Sequence, residues 1–214
     1  MQPSAPRTLR TSKTPSKIKN QEVEAFISKT DADRMRAKLQ EESDARDEII
    51  AATRALTKEA KLIIYAVHRD EHDQAAKRLE KLKTQITWLT RKVAVHPTFS
   101  SNASGAFEEY AEAACFHALM SQVPLPTSVG LNISTESYLL GLCDLTGELM
   151  REAVAAGTRQ DTAEVKRLRA ATEAIFGMFL QFDLRNGELR KKADAIKWNL
   201  LKIEQVLYDL NMRQ

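Results

Sequence analysis

Two pairs of acidic residues have the types and spacing that could perform chemistry. Asp144 and Glu148 are four residues apart in an otherwise apolar stretch, and Glu109 and Glu112 are three apart in another. On a helix, either spacing puts both carboxylates on one face, about one turn apart. Burying two like charges is unfavourable unless a cation compensates them. The spacing therefore predicts that the two pairs face each other across a helix bundle and hold a hard divalent cation.

The ligand types narrow the choice of metal. A di-iron centre in a bundle needs a histidine three residues after a glutamate on two helices, and none of Glu109, Glu112 and Glu148 has one. Oxygen ligands alone suit Mg²⁺, with Mn²⁺ or Ca²⁺ as substitutes. Spacing alone leaves an alternative open, in which each pair is a solvated helix face or a partner of basic residues such as Arg151.

The other candidate groups fit structural roles better. His68 and His72 have the spacing of a zinc-binding helix face, but the Arg-Asp-Glu run between them predicts a surface position. Cys115 and Cys143 lie in apolar surroundings and are interpreted as small core residues of a reduced intracellular protein. The sequence has no glycine-rich phosphate loop and no nucleophile elbow.

The elements that position these residues are predicted to be helices. Seven glycines and six prolines in 214 residues are few, and Ala, Leu, Glu, Lys and Arg are abundant. The apolar periodicity predicts an all-α bundle of about six to seven long antiparallel helices. Their expected ranges are 21–69, 70–95, 100–122, 134–156, 160–182 and 188 to the end. The charged first part of the first range, to residue 42, could be a separate helix. Gly157 is expected to stop the fourth.

Charge is concentrated at the amino terminus. Residues 1–20 contain five basic residues, three prolines and no acid, which predicts a disordered basic tail before a single domain at 21–214. Nuclear import and RNA tethering are alternative roles of this tail. No apolar run approaches the ~20 residues of a membrane span, and no signal peptide is recognisable. We therefore expect a soluble intracellular protein.

Several basic clusters could contact phosphates, although charged helix faces are usually just solvated. They are Arg91-Lys92, Lys166-Arg167 with Arg169, and Arg190, Lys191 and Lys192 with Lys197. Aromatic residues form only 6% of the chain, which argues against a base-stacking platform as the main binding mode.

Longer motifs carry a resemblance to a known family. The run Gly-Leu-Cys-Asp-Leu-Thr-Gly-Glu-Leu-Met-Arg at 141–151, with Glu-Tyr-Ala-Glu-Ala at 109–113, resembles the translin superfamily and its translin-associated factor X branch. Residues 43–50 and 58–64 are similar to the first helix of that branch, and 189–210 to the last helix of the superfamily. The resemblance covers about residues 28–212.

The resemblance implies a translin-like fold and assembly with translin into a hetero-octamer. It implies an Mg²⁺-dependent endoribonuclease that acts on single-stranded RNA, with DNA as a further ligand, in the cytoplasm and nucleus. The expected substrates are passenger-strand fragments of RNA silencing and transfer-RNA precursor fragments. A non-catalytic RNA- or DNA-binding scaffold subunit is the alternative. Carried over by motif, the catalytic and metal-binding residues are Glu109, Glu112, Asp144 and Glu148. The candidate nucleic-acid contacts are Arg151, Arg190, Lys191, Lys192 and Lys197.

Overall fold

The computed structural model describes residues 28–212, and this part of the chain contains α helices and no strand. The seven helices are α1 Lys29–His68, α2 His72–Val95, α3 Ser100–Met120, α4 Ser128–Leu131, α5 Thr135–Thr158, α6 Thr162–Phe179 and α7 Glu188–Met212. A 3₁₀ turn, Pro97–Phe99, joins α2 to α3. The predicted all-α class is confirmed. No helix among the described residues is both long and apolar enough to cross a membrane.

The chain divides into two compact units, Met1–Asp44 and Ala45–Gln214. In the first unit, residues 29–44 form the start of α1, where short-range ion pairs such as Arg34–Asp31 at 2.6 Å lie on an exposed surface. Leu39 in this segment is 67% exposed. The tail predicted for residues 1–20 lies outside the described residues, and the single domain from residue 21 stays a prediction.

In the second unit, the apolar residues at helical spacing form one core around α5. This helix packs against α3, α6 and α7, and α2 packs against α3. Cys115 and Cys143 are buried free thiols within this core, in keeping with the prediction from sequence. The largest fully buried side chains are Tyr110, Phe116, Ile49, Ile63, Leu82, Ile86, Leu89, Leu145, Leu149, Leu168, Ile196 and Ile203.

Helices α3 and α5 approach each other closely at Gly141. A Cβ atom at this position would lie 2.6 Å from Cβ of Ala111 and 2.7 Å from the backbone oxygen of Glu108. Real Cβ atoms do not approach backbone atoms this closely, so only glycine permits the contact. The contact brings the helix turn at Glu108–Glu112 against the turn that carries Asp144.

The expectation that Gly157 ends its helix was wrong. Helix α5 continues through Gly157 to Thr158, and the left-handed residue after it is Gln160, with φ 58°. A Cβ at Gly157 would lie 2.6 Å from Cγ1 of Val206, so this glycine allows close packing against α7 rather than ending the helix. The stretch after Pro126 contains the short helix α4, capped by Thr127.

The contact at Gly141 gives a stability prediction. We expect Gly141→Ala to lower the free energy of unfolding by about 1–3 kcal/mol, because the added methyl overpacks two helix backbones. Gly105→Ala is the matched control, because a Cβ at Gly105 in α3 meets nothing within 4 Å. It should be neutral or stabilise by up to about 1 kcal/mol through helix propensity. Urea unfolding of both variants measures this, and equal effects would contradict the close contact.

Candidate metal centre

All four sequence-predicted acids line one cleft of about 550 Å³ in the second unit. Glu109 and Glu112 enter it from α3, and Asp144 and Glu148 from α5. Helices α1 and α7 complete the walls. The other residues that line the cleft are Lys61, Ile64, Tyr65, Cys143, Gly147, Arg151, Lys192, Ala195 and Asn199.

Glu112 is the most buried of the four acids. It is 7% exposed, and among the described residues it has no hydrogen bond or ion pair. Burial raises the pKa of Glu112 to about 8, and the negative charges of Asp144, Glu109 and Glu148 act in the same direction. At neutral pH this carboxyl therefore keeps its proton unless a cation replaces it.

Two lysine side chains form ion pairs with acids of the cleft. Lys61 Nζ lies 3.0 Å from Oε1 of Glu109, and Lys192 Nζ lies 2.7 Å from Oδ2 of Asp144 and 3.4 Å from Oε2 of Glu108. The hydrogen bond to Glu109 and the charge of that residue raise the pKa of Lys61. Burial alone would lower the pKa of Lys192, but the bond to Asp144 and the two nearby negative charges outweigh it and raise this pKa.

His68 connects Glu148 to another acidic side chain of α5, that of Glu152. Its Nε2 donates to Glu148, and its Nδ1 lies 3.2 Å from Oε2 of Glu152. Arg159 Nη2 donates to the other oxygen of Glu152 at 2.8 Å. The hydrogen bonds from His68 lower the pKa of both glutamates. Burial lowers the pKa of His68, but the bonds to the two carboxylates outweigh it, so the net shift is upward and favours the imidazolium form.

The surface position predicted for His68 was therefore wrong. Its side chain is only 9% exposed, and its ring packs against Phe116 with centroids 4.7 Å apart. The charged run at 69–71 that suggested a surface belongs to the turn after α1, whereas His68 is still in the helix. His68 lies seven residues after Lys61, so the two side chains lie on the same face of α1. This face points toward α5.

The acids are not arranged as a ready metal site. Among residues 28–212, no three side chains of His, Cys, Asp or Glu stand together as metal ligands. Three of the four acids have a basic partner, and Glu112 has none in the described part of the chain. The donor set nevertheless fits a hard cation, because all four groups are carboxylates and the buried one lacks a counter-charge.

The predicted nucleic-acid contacts separate into two groups. Arg151 and Lys192 line the cleft, and Arg151 Nη1 lies 3.6 Å from Oε2 of Glu148. Arg190, Lys191 and Lys197 are exposed on α7 and do not line it. Arg190 pairs with the adjacent turn of its own helix at Asp194, which is typical of a solvated surface.

Sequence reasoning missed four residues around the acids, namely Lys61, His68, Glu108 and Glu152. Two signals were present. Lys61 and His68 are seven residues apart, and Glu152 continues the spacing of four that Asp144 and Glu148 begin. No local signal marks Glu108, whose contact with Lys192 joins residues 84 positions apart.

The fold and the cleft define an all-α bundle protein with an acid-lined site between helices α1, α3, α5 and α7. Comparison with known families agrees with this class, since the translin family model matches residues 44–214. The chain belongs to the translin family.

Individual relatives cover different shares of the chain. The translin-associated protein X homolog of Schizosaccharomyces pombe is 27% identical in an alignment 201 positions long, which covers 82% of this chain and 85% of that protein. An uncharacterised protein of Methanocaldococcus jannaschii is 29% identical over 168 residues, 77% of this chain and 75% of that protein. Translin of Gallus gallus is 36% identical over 84 residues, only 39% of this chain and 37% of that protein.

Two solved structures share the fold. The crystal structure of apo-NeC3PO superposes with a TM-score of 0.82 at 22% identity, covering 86% of this chain and 98% of that one. The structure of AfC3PO in complex with duplex RNA gives a TM-score of 0.78 at 19% identity, covering 86% and 97%. The family model thus confirms the resemblance to the translin family, and the solved structures confirm the translin-like fold.

Burial of Glu112 gives a prediction on pH. The pKa of Glu112 is about 8 in the folded chain, against an ordinary value of 4.5, so between these values the folded chain holds a proton that the unfolded chain has released. Stability therefore falls as pH rises through this interval, by at most about 1.4 kcal/mol per pH unit. The Glu112→Gln variant lacks this contribution. Urea unfolding in EDTA at pH 5 and pH 8 should show the variant gaining stability over the wild type at the higher pH, and parallel curves would contradict the prediction.

Proposed function

We propose that this chain is the catalytic subunit of a translin-type complex and hydrolyses phosphodiester bonds of single-stranded RNA with the help of Mg²⁺. The observation that carries the proposal is the buried Glu112, a carboxyl without a counter-charge among the described residues, in a cleft lined by three further acids. A divalent cation would satisfy all four groups at once.

Each residue of the cleft has a proposed role. Glu109, Glu112, Asp144 and Glu148 would hold the ion, which when bound would supply a Lewis acid that offsets charge on the phosphate and favours ionisation of a water. A carboxylate that does not ligate directly would accept the proton of the attacking water.

Residues around the acids would orient them and the RNA. His68 would keep Glu148 in place through its hydrogen bond. Arg151, at the exposed side of the cleft, would contact a phosphate of the RNA, for which the planar guanidinium is suited.

The relatives support the proposed partners. The similarity to a translin-associated protein X homolog over most of the chain supports a translin-type partner and, by the family resemblance, a hetero-octamer. The shared fold with an AfC3PO structure that binds duplex RNA supports RNA as the ligand. Passenger-strand and transfer-RNA precursor fragments in the cytoplasm and nucleus are the substrates and locations that the resemblance implies.

The proposal is tested by RNA cleavage with the chain and its translin-type partner. We expect Glu112→Gln and Asp144→Asn each to reduce the cleavage rate by at least about 100-fold, because each removes charge that would hold the ion. EDTA should abolish the activity and Mg²⁺ should restore it. Glu136→Gln is the control, because Glu136 is exposed on the same helix α5 and does not line the cleft.

Cleavage by both cleft variants at the wild-type rate, with the control unchanged, would remove the assignment. Loss of assembly in the cleft variants is checked by light scattering, so that a folding defect is not read as a catalytic one.

A non-catalytic nucleic-acid-binding subunit is the second candidate. The observation that favours it is the ion pairing of Glu109 and Asp144 with lysines, which leaves fewer free ligands. This reading predicts RNA affinity that falls steeply with salt concentration but no Mg²⁺-dependent cleavage. The same assay therefore separates the two candidates.

A further inference from the structure

Two lysine side chains enter the acid-lined cleft from helices that carry none of the four acids. Lys61 comes from α1 and Lys192 from α7, and both line the cleft. Their ammonium groups lie within 3.0 Å of Glu109 and 2.7 Å of Asp144, respectively. Each lysine thus contacts one of the four acids from a helix that carries none of them.

The contacts occupy oxygens that a metal ion would need. Oε1 of Glu109 and Oδ2 of Asp144 are bonded to the lysines, and Oε2 of Glu148 is bonded to His68. Only Glu112 lacks such a partner among the residues described. Within residues 28–212, no three acidic or other ligating side chains stand together as metal ligands.

Lys61 differs from an ion pair that only stabilises the fold, whereas Lys192 is more buried, with 28% of its side chain exposed. The Lys61 side chain is 63% exposed, and exposed pairs contribute little to stability. Lysine is a point charge on a flexible four-carbon stem, so its ammonium can turn to another acceptor without a change in the helices. An RNA phosphate is such an acceptor, and it forms charge-assisted hydrogen bonds with ammonium groups.

We propose that Lys61 and Lys192 compete with the divalent ion for Glu109 and Asp144, and that the phosphates of bound RNA draw these lysines away and free the carboxylates for the ion. The inference rests on the proposed metal-dependent function and adds a positioning role for the two lysines. It makes metal and RNA binding mutually reinforcing, since each ligand then favours the arrangement that the other needs.

The inference predicts that replacing either lysine strengthens the binding of the metal ion and weakens the binding of RNA. Calorimetric titration of MnCl₂ into the metal-free, RNA-free complex should show about tenfold tighter Mn²⁺ binding for Lys61→Gln and Lys192→Gln than for the wild type, because a competing positive charge is removed. Binding of a single-stranded RNA oligonucleotide in EDTA, followed by fluorescence anisotropy, should be weakened by about threefold to tenfold in the same variants.

Lysines on the same two helices are the controls. Lys58 lies one turn before Lys61 on α1, and Lys202 is exposed on α7, the helix of Lys192; neither lines the cleft. Lys58→Gln and Lys202→Gln change the net charge equally, so they report the general effect of charge. Both should bind Mn²⁺ as the wild type does.

The outcomes separate this inference from the proposed function. If the lysine variants bind Mn²⁺ no more tightly than the controls while Glu112→Gln still abolishes Mg²⁺-dependent cleavage, the competition is wrong and the nuclease assignment stands. Tighter Mn²⁺ binding with unchanged RNA affinity would contradict the proposal that RNA phosphates draw the lysines away from the carboxylates. If no variant and no wild-type protein binds Mn²⁺ or cleaves RNA, both proposals are rejected.

Because Lys192 also contacts Glu108, its substitution could disturb local packing. The Lys61 side chain is exposed, so Lys61→Gln should still fold. This variant alone tests the inference if Lys192→Gln fails to fold.

Discussion

The arrangement of the cleft depends on the backbone contact between α3 and α5 at Gly141. Because residue 141 has no Cβ, the turn of α5 that leads to Asp144 rests directly on the turn of α3 that leads to Glu112. The apolar side chains around them, such as Ala111 and Leu145, are fully buried. Hydrophobic burial thus supplies free energy that offsets the cost of bringing these acidic groups together.

The charges that offset this repulsion come from the remaining walls. Lys61 and His68 are contributed by α1 and Lys192 by α7, so no acid pair is neutralised by its own helix alone. Helix α5 then has two functions: its apolar face packs in the core, and its acidic face receives cations from two neighbours. These partners compensate Glu109, Asp144 and Glu148, whereas the carboxyl of Glu112 has no counter-charge among the described residues.

The sequence was sufficient for the parts of this arrangement that depend on local spacing. The acid pairs share helix faces because of separations of three and four, and most helix ends are within three residues of those expected. The cationic partners were not predictable in the same way, because the pairing of Lys192 with Asp144 joins residues 48 positions apart. The role of Gly157 was not predictable from the sequence either, because a glycine near a helix end can form a turn or allow a close contact between helices. The position of Val206 on α7 shows that Gly157 allows a close contact.

Glu112 and Glu152 show that environment, not burial, distinguishes a structural carboxylate from a candidate functional one. Their exposures are nearly equal, at 7% and 6%. Glu152 receives hydrogen bonds from His68 and Arg159, which lower its pKa, and it does not line the cleft. Glu112 receives none from the described residues, lies near three other acids, and has its pKa raised to about 8. A fold gains nothing in stability from keeping such a group ionisable and unpaired, whereas a site that must accept a cation requires it.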